Sequence, residues 1–286
     1  MRANYHSHCD YCDGSSSARA MAEAACAAGF GVLGISSHAP LGRGLYEGNM
    51  KLPRLGGYLA EIRSLAREWE GRGLEILLGL EIDWLREAQS PRDALFAGLG
   101  LDYSIGSVHL VDLGSGPFAV DESAESFRAR VEADAGGDAR RVWKAYYEEL
   151  CALIEAGGFD ILGHLDLVTK YNRGGELFDE SDPAYREAAL GAAALLGGAD
   201  IVIEINYGAM LRSGAAAPYP APFILRALRE RGVRVVLSAD AHAPEQLGPA
   251  GSGAREAARE AARAAGYRSV ALLSKGSWTE VGIDEA

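Results

Sequence analysis

Short apolar, β-prone runs alternate with one-sided helical patterns from one end of the chain to the other. The strand candidates are Ala3 to His6, Val32 to Ile35, Glu75 to Ile82, Tyr103 to Val108, Phe159 to Leu162, Ile201 to Ile205 and Val233 to Leu237, with Ser269 to Leu273 as an eighth. Helices with usable caps lie between them. Ser16 or Ser17 caps one that ends before Gly29. Leu55, Leu59, Ile62, Ala66 and Trp69 recur at three- and four-residue steps, as do Val142, Tyr146, Leu150 and Leu153 or Ile154, so each predicts a helix with one face for a sheet. Ser90-Pro91 and Asp182-Pro183 each set a proline at a first helical position behind a capping residue. Strand–helix alternation predicts a parallel sheet, and seven or eight such units in 286 residues favour a closed α/β barrel over an open doubly wound sheet. Asp112 to Arg141 reads as one long, irregular, acidic stretch. It is either a disordered insert or a loop over the C-terminal face of a strand, where substrate contacts gather.

Charge narrows the partners. With 28 Lys+Arg against 40 Asp+Glu the net charge is −12, and no basic stripe exists for a nucleic-acid backbone or an anionic membrane. The longest apolar tract, Ala188 to Ile205, is interrupted by Gly197, Gly198, Asp200 and Glu204, which argues against a bilayer span. The opening residues Met1 to His6 carry no apolar signal region, and 4 cysteines make no disulfide framework in a chain this long, so a reducing cytoplasmic setting is expected. Cys9-x-x-Cys12 lacks two further soft ligands at matching spacing, and Cys26 reads as core filler on an alanine-rich helix.

The 6 histidines change the picture, because each ends or closely follows a strand candidate. His6 and His8 close the first, His38 follows Ile35, His109 follows Val108, His164 follows Leu162-Gly163, and His242 follows Leu237. Parallel strands of a barrel all end at one mouth, so these imidazoles would converge there. Carboxylates complete the set. Glu81, read as the only carboxylate embedded in an apolar strand, would cost several kcal/mol if buried without a partner. Asp240 and His242 form D-x-H, and share one side if strand geometry persists that far; Asp13 follows His8 in Cys12-Asp13-Gly14. Imidazole and carboxylate with almost no thiolate suit zinc, iron or manganese, and the set is too large for one tetrahedral ion. Two to three divalent transition metals are expected. Such clusters activate water and clamp phosphoryl oxygens, so hydrolysis is the expected reaction class.

The ordered segments H-S-H followed by C-D-G-S-S-S, then G-I-S-S-H-A-P, G-L-E-I-D, G-S-V-H, L-G-H-L-D-L-V-T-K-Y, E-I-N and S-A-D-A-H-A-P-E run from about residue 4 to residue 248. They resemble the PHP (polymerase and histidinol phosphatase) superfamily, and its histidinol-phosphatase branch in particular. The resemblance implies a distorted (βα)7 TIM-like barrel, residues 1–286 forming a single metal-dependent hydrolase domain. It also implies hydrolysis of L-histidinol phosphate to L-histidinol and phosphate in histidine biosynthesis. By that likeness His6, His8, Glu81 and Asp240 hold one metal, Glu81 bridges to a second held by His109 and His164, and Asp13, His38 and His242 hold the third. Glu81, Asp240 and Arg212 would carry the catalysis. Asn206 and Arg212 would meet the substrate, a small phosphorylated aminoalcohol, with Lys170 and Arg173 as alternative phosphate anchors. Asp83 and Asp166 would sit near the mouth for its cationic groups.

One departure is Ser36-Ser37-His38, where the branch usually has S-D-H, so a hydroxyl replaces a supporting carboxylate and weaker metal binding at the third position is expected. Three alternatives remain. Another phosphoesterase of the superfamily would act on a nucleotide, a sugar phosphate or phosphotyrosine. An amidohydrolase-type barrel would bridge its metals with a modified lysine, for which no strand-terminal lysine is available. A non-catalytic module would have lost ligands, whereas all the candidate ligands are present.

Overall fold

The computed structural model describes residues 1–42, 45 and 48–286. From the N-terminus, β1 (Arg2–Asn4) leads to α1 (Ala18–Ala27), β2 (Phe30–Ile35), α2 (Leu55–Trp69), β3 (Glu75–Leu78), β4 (Glu81–Asp83) and β5 (Ile105–Ser107). A hairpin, β6 (Leu110–Asp112) and β7 (Pro117–Ala119), then precedes α3 (Ala124–Ala135), α4 (Ala139–Ala156), β8 (Ile161–Leu162), α5 (Pro183–Leu196), β9 (Val202–Asn206), α6 (Gly208–Arg212), α7 (Pro222–Glu230), β10 (Val235–Ser238), α8 (Ser252–Ala264), β11 (Ser269–Ser274) and β12 (Ser277–Gly282).

Ser17 caps α1 by accepting from the Ala20 amide, and Asp182 caps α5 ahead of Pro183. In α2 the buried face is Leu55, Tyr58, Ile62 and Leu65 rather than the expected Leu55–Leu59–Ile62–Ala66–Trp69 stripe. Tyr58 sets that rotation, since its hydroxyl donates to the carbonyls of Ile35 (2.8 Å) and Gly79 (2.7 Å). Ser90-Pro91 begins no helix. The Asp93 carboxylate takes the Ser90 amide, and Gly98 and Gly100 turn left-handed at φ 80° and 68°, leaving only turns before Tyr103.

Two parallel sheets, β1-β2-β3 and β10-β9-β8-β5-β4, carry the frame. The run from Glu75 to Ile82 is divided between them at Gly79, where a Cβ would lie 2.5 Å from the Tyr103 ring. Isolated parallel bridges, His38 with Glu81 and Ser7 with Ala241, join the sheets, linking residues just past the ends of β2, β1 and β10 with one another and with the start of β4. β11 is not an eighth parallel strand. Lys275 and Gly276 are left-handed (φ 51° and 70°), which folds the chain back at once into an antiparallel hairpin with β12. Ala271, Leu272 and Leu273 then pack in one apolar cluster with Ala3, Tyr5, Val32, Leu77, Tyr103, Ile105, Ile161, Val202 and Val236, residues at or beside the parallel strands. The larger cluster lies between the sheets and the helices.

The stretch from Asp112 to Arg141 is ordered rather than irregular. It supplies the hairpin β6–β7 and helix α3, capped by Ser123 and closed by Gly136 in the left-handed region. Phe118, Val120, Phe127 and Val131 are buried, so this acidic stretch packs against the rest of the chain.

Candidate metal centre

Because the strands run parallel, the residues just past their C-terminal ends meet. His6, His8, His38, Glu81, His109, His164 and Asp240 are buried, while Asp13 and His242 stay partly open at the rim. Glu81, at the start of β4, stands in the middle. Its Oε2 lies 2.9 Å from His38 Nδ1, 3.2 Å from His6 Nε2 and 3.6 Å from His8 Nε2. Its Oε1 lies 3.1 Å from His164 Nε2 and 3.5 Å from His109 Nε2, and accepts from the Ser107 hydroxyl at 2.6 Å. Asp240 Oδ1 is 3.2 Å from His8 Nε2 and 3.6 Å from both His6 Nε2 and His242 Nδ1. Asp13 Oδ2 is 3.3 Å from His242 Nε2 and 3.8 Å from His38 Nε2. Extended geometry does not persist to D-x-H, since β10 stops at Ser238 and Asp240 is left-handed at φ 46°; that turn is what aims its carboxylate inward.

Three sets of ligand atoms lie within 4.8 Å of one another: His8, Asp13, His38 and His242; His6, His8 and Glu81; and His38, Glu81 and His109. The buried His6 Nε2, His8 Nε2 and Glu81 Oε2 converge without making a proper hydrogen bond. Such orphaned atoms are costly in a dry interior, and a divalent cation satisfies them together. The donor set therefore fits divalent metals.

Without metal, the cluster is strongly polarised. Burial pushes His8 down to about 3, with His242 and His38 adding to the effect. Burial would also lower His38 and His109, yet Glu81 in the first case, and Asp83 then Glu81 in the second, raise each to about 10. Burial would raise the carboxyls of Glu81 and Asp240; facing imidazoles hold Glu81 well below its ordinary value, and Arg212 followed by His6 does so for Asp240.

The PHP domain model matches residues 4–208. The chain belongs to the PHP domain family. A Deinococcus radiodurans relative named probable histidinol-phosphatase is 35% identical over 246 residues, 85% of this chain and 87% of that one. A Schizosaccharomyces pombe protein of the same name is 28% identical over 67% of this chain and 61% of its own length. Among solved structures, a histidinol phosphatase from Listeria monocytogenes superposes with a TM-score of 0.78 at 21% identity, covering 88% of this chain and 99% of that one. Histidinol phosphate phosphatase from Lactococcus lactis, solved with zinc, L-histidinol and phosphate, gives 0.69 at 18%, covering 97% and 98%. These two likenesses establish a shared α/β fold.

Around this PHP cluster a second layer orients the imidazoles. Glu204 Oε2 lies 2.9 Å from His6 Nδ1, while its Oε1 accepts from the His164 amide and the Asn206 side chain, both at 2.7 Å. Glu81 is therefore not the only carboxylate embedded in an apolar strand. Glu204 sits fully buried within Val202–Asn206, and the reasoning applied to Glu81 would have found it. Asp83 is no mouth residue either. It is fully buried, with Oδ1 at 2.5 Å from His109 Nδ1 and Oδ2 held by Asn49 at 2.8 Å. Asp166 is likewise buried, accepts from the Ala221 amide at 2.8 Å, and is pushed by burial up to about 7. The Ser37 hydroxyl meets Cys9, through both its amide and its sulfur at 3.3 Å, and Cys12 Sγ lies 3.5 Å from His8 Nδ1.

A cavity of about 630 Å³ opens above the cluster. Arg212 lines it, with Nη2 2.7 Å from Asp240 Oδ2 and Nη1 3.1 Å from His242 Nδ1. Lys170 also lines it, 3.2 Å from Asp121 Oδ2. Asn206 lies below, buried, donating to Glu204 and, at 3.4 Å, to Asp240. Arg173 is not among the lining residues; its guanidinium donates to the Ser213 carbonyl.

Proposed function

We propose that this chain is a histidinol-phosphatase, a metal-dependent phosphomonoesterase that converts L-histidinol phosphate to L-histidinol and phosphate during histidine biosynthesis in the cytoplasm. The observation that carries the reading is the convergence of His6, His8, Asp13, His38, Glu81, His109, His164, Asp240 and His242 beneath one cavity walled by Arg212 and Lys170, in a chain 35% identical to a relative of that name. We read the frame as a distorted (βα)7 barrel in which β3 and β4 are two halves of one strand. The His38–Glu81 and Ser7–Ala241 bridges support closure of the ring. A single domain over residues 1–286 is supported by β11 packing into the inner cluster and by the Met1 amino group donating to the Glu285 carbonyl.

His6, His8, Glu81 and Asp240 would hold one ion, Glu81 with His109 and His164 a second, and Asp13, His38 and His242 a third, with zinc, iron or manganese suiting the donors. When bound, such ions supply Lewis-acid charge and lower the pKa of water near a phosphoryl group. The chain's own residues do the rest. Arg212, anchored by Asp240 and beside His242, would bring a guanidinium charge to phosphate oxygens, and Lys170, paired with Asp121, would add a second positive charge to the cavity lining. Both bind most strongly as charge builds on the oxygens in an in-line displacement. Glu204 and Asp83 fix the tautomers of His6 and His109, so each ring keeps its Nε2 lone pair aimed at the cluster. The cavity lining would keep a phosphate close to the cluster and limit bulk water around it.

The test combines metal analysis of protein purified without chelators with a substrate panel. At least one equivalent of transition metal and a kcat/KM for histidinol phosphate well above that for a nucleotide, a sugar phosphate or phosphotyrosine are expected. Metal-free protein with full activity, or a flat panel, would overturn the reading.

A further inference from the structure

The cavity lining combines two sets of groups of different chemistry. In one, Asp13, Glu81 and Asp240 face imidazole nitrogens, and Arg212 faces Asp240. The other comes from the ordered excursion after β5 and forms a wall of its own: Phe118 and Ala119 of the hairpin, Asp121 and Glu122 beyond it, and Ser126 and Arg130 of α3. On that wall most charges are already matched. Asp121 pairs with Lys170 at 3.2 Å, and Arg130 pairs with Asp134 at 2.8 Å while its guanidinium lies over the Phe118 ring at 4.8 Å. Glu122 differs. Its Oε2 accepts from the Ser126 hydroxyl at 2.8 Å, a neutral donor on the first turn of α3, and it has no ion pair among the described residues. A carboxylate held in place on a cavity wall, with no ion pair among the described residues, suits a cation.

Resting on the phosphatase reading above, we propose that Glu122 is a specificity-determining residue that takes the cationic group of the leaving alcohol while Arg212 takes the phosphate. Substrate charge is then matched by opposite charge in the lining: the phosphate by Arg212, the ammonium or imidazolium by Glu122. Asp83 and Asp166 cannot serve, since both are buried in hydrogen bonds to Asn49, His109 and Ala221. Ser126 is a positioning residue, limiting the rotamers Glu122 samples before substrate arrives.

The experiment compares kcat/KM for histidinol phosphate with that for propyl phosphate, whose alcohol carries no charge, in wild type, Glu122→Gln and Glu122→Lys. Glu122 is exposed, so the fold should tolerate both substitutions, which thermal melts would verify. Glu122→Gln should lower the histidinol phosphate value about tenfold, the weight of one charge-assisted hydrogen bond, mainly through KM, and leave propyl phosphate within about twofold. Glu122→Lys should shift preference towards a phosphate ester bearing a carboxylate on its alcohol. If Glu122→Gln leaves the ratio of the two substrates unchanged while wild type prefers histidinol phosphate, this inference is wrong and the phosphatase reading stands. If wild type shows no preference, both are wrong.

Discussion

Replacing Glu81 by glutamine keeps the side-chain volume and removes one negative charge from the centre of five imidazoles. The consequences differ with and without metal. In the metal-free chain the Glu81 carboxylate is what raises His38 to about 10 against the opposing effect of burial, and it contributes to the raised His6 and His109. Removing one member of a buried, paired set costs about 3–5 kcal/mol, so metal-free Glu81→Gln should melt well below metal-free wild type. With metal the loss is of similar size and falls on metal affinity. A unit charge about 4 Å from a cation is worth about 4 kcal/mol at an effective dielectric of 20, or ~10³ in affinity, and Glu81 faces ligand atoms on both its oxygens. Its amide would also turn an N–H towards ring nitrogens, either at His6, His8 and His38 or at His109 and His164. Metal content after gel filtration and turnover at saturating substrate should therefore fall together, with partial recovery of turnover when excess metal is added. Wild-type metal content and rate in a folded Glu81→Gln protein would refute the central role assigned to this residue.

Glu204→Gln should weaken metal binding by about 10–100-fold through loss of the His6 tautomer, while KM under metal saturation stays near wild type; a changed KM with unchanged affinity would point to a substrate role instead. Loading metal into chelator-stripped protein at pH 8 should release protons, because His38 and His109, raised to about 10, hold them there; calorimetry in buffers of different ionisation heat reads this, and zero release would contradict the assigned ring states. Asp166, raised by burial to about 7 from an unfolded value near 4, binds its proton more tightly when folded, so its contribution to stability is present below about pH 4 and lost as pH rises through about 7. Asp166→Asn should thus gain about 4 kcal/mol at pH 8, about three pKa units at about 1.4 kcal/mol each, and little at pH 4 in urea unfolding, and an equal gain at both would sink the ionisation account.

The alternation of apolar runs with helical patterns located every parallel strand, because burial on both faces leaves a continuous apolar signature that survives in one sequence. What it could not show was where a run bends or reverses. Glu75 to Ile82 looks like one strand, and only the Tyr103 ring lying against Gly79 divides it between two sheets. Ser269 to Leu273 has the composition of a parallel strand, yet the Lys275-Gly276 turn that makes it a hairpin lies outside the run itself. Helix α3 was obscured for another reason. Its buried residues Phe127, Val131 and Ala135 are widely spaced among Glu125, Glu132 and Asp134, so the acidic composition masks a helical stripe.

The site was legible because it breaks the same rules that the fold obeys. An imidazole or carboxylate at the end of a buried strand is locally unfavourable, and the recurrence of that violation at several strand ends marks a shared destination. Glu204 obeys this logic as fully as Glu81, but a neighbouring Asn206 and an apolar tract made it look like an interruption rather than a member. The groups proposed to face substrate follow no such rule. Arg212, Lys170 and Glu122 are ordinary charges in ordinary loops and helix ends, and nothing local separates them from Arg173, which turns to the Ser213 carbonyl instead. Chemistry that requires burial leaves its mark in the sequence, whereas recognition depends on which exposed charges the loops bring to one wall; the leaving-group test at Glu122 is therefore the more demanding of the two.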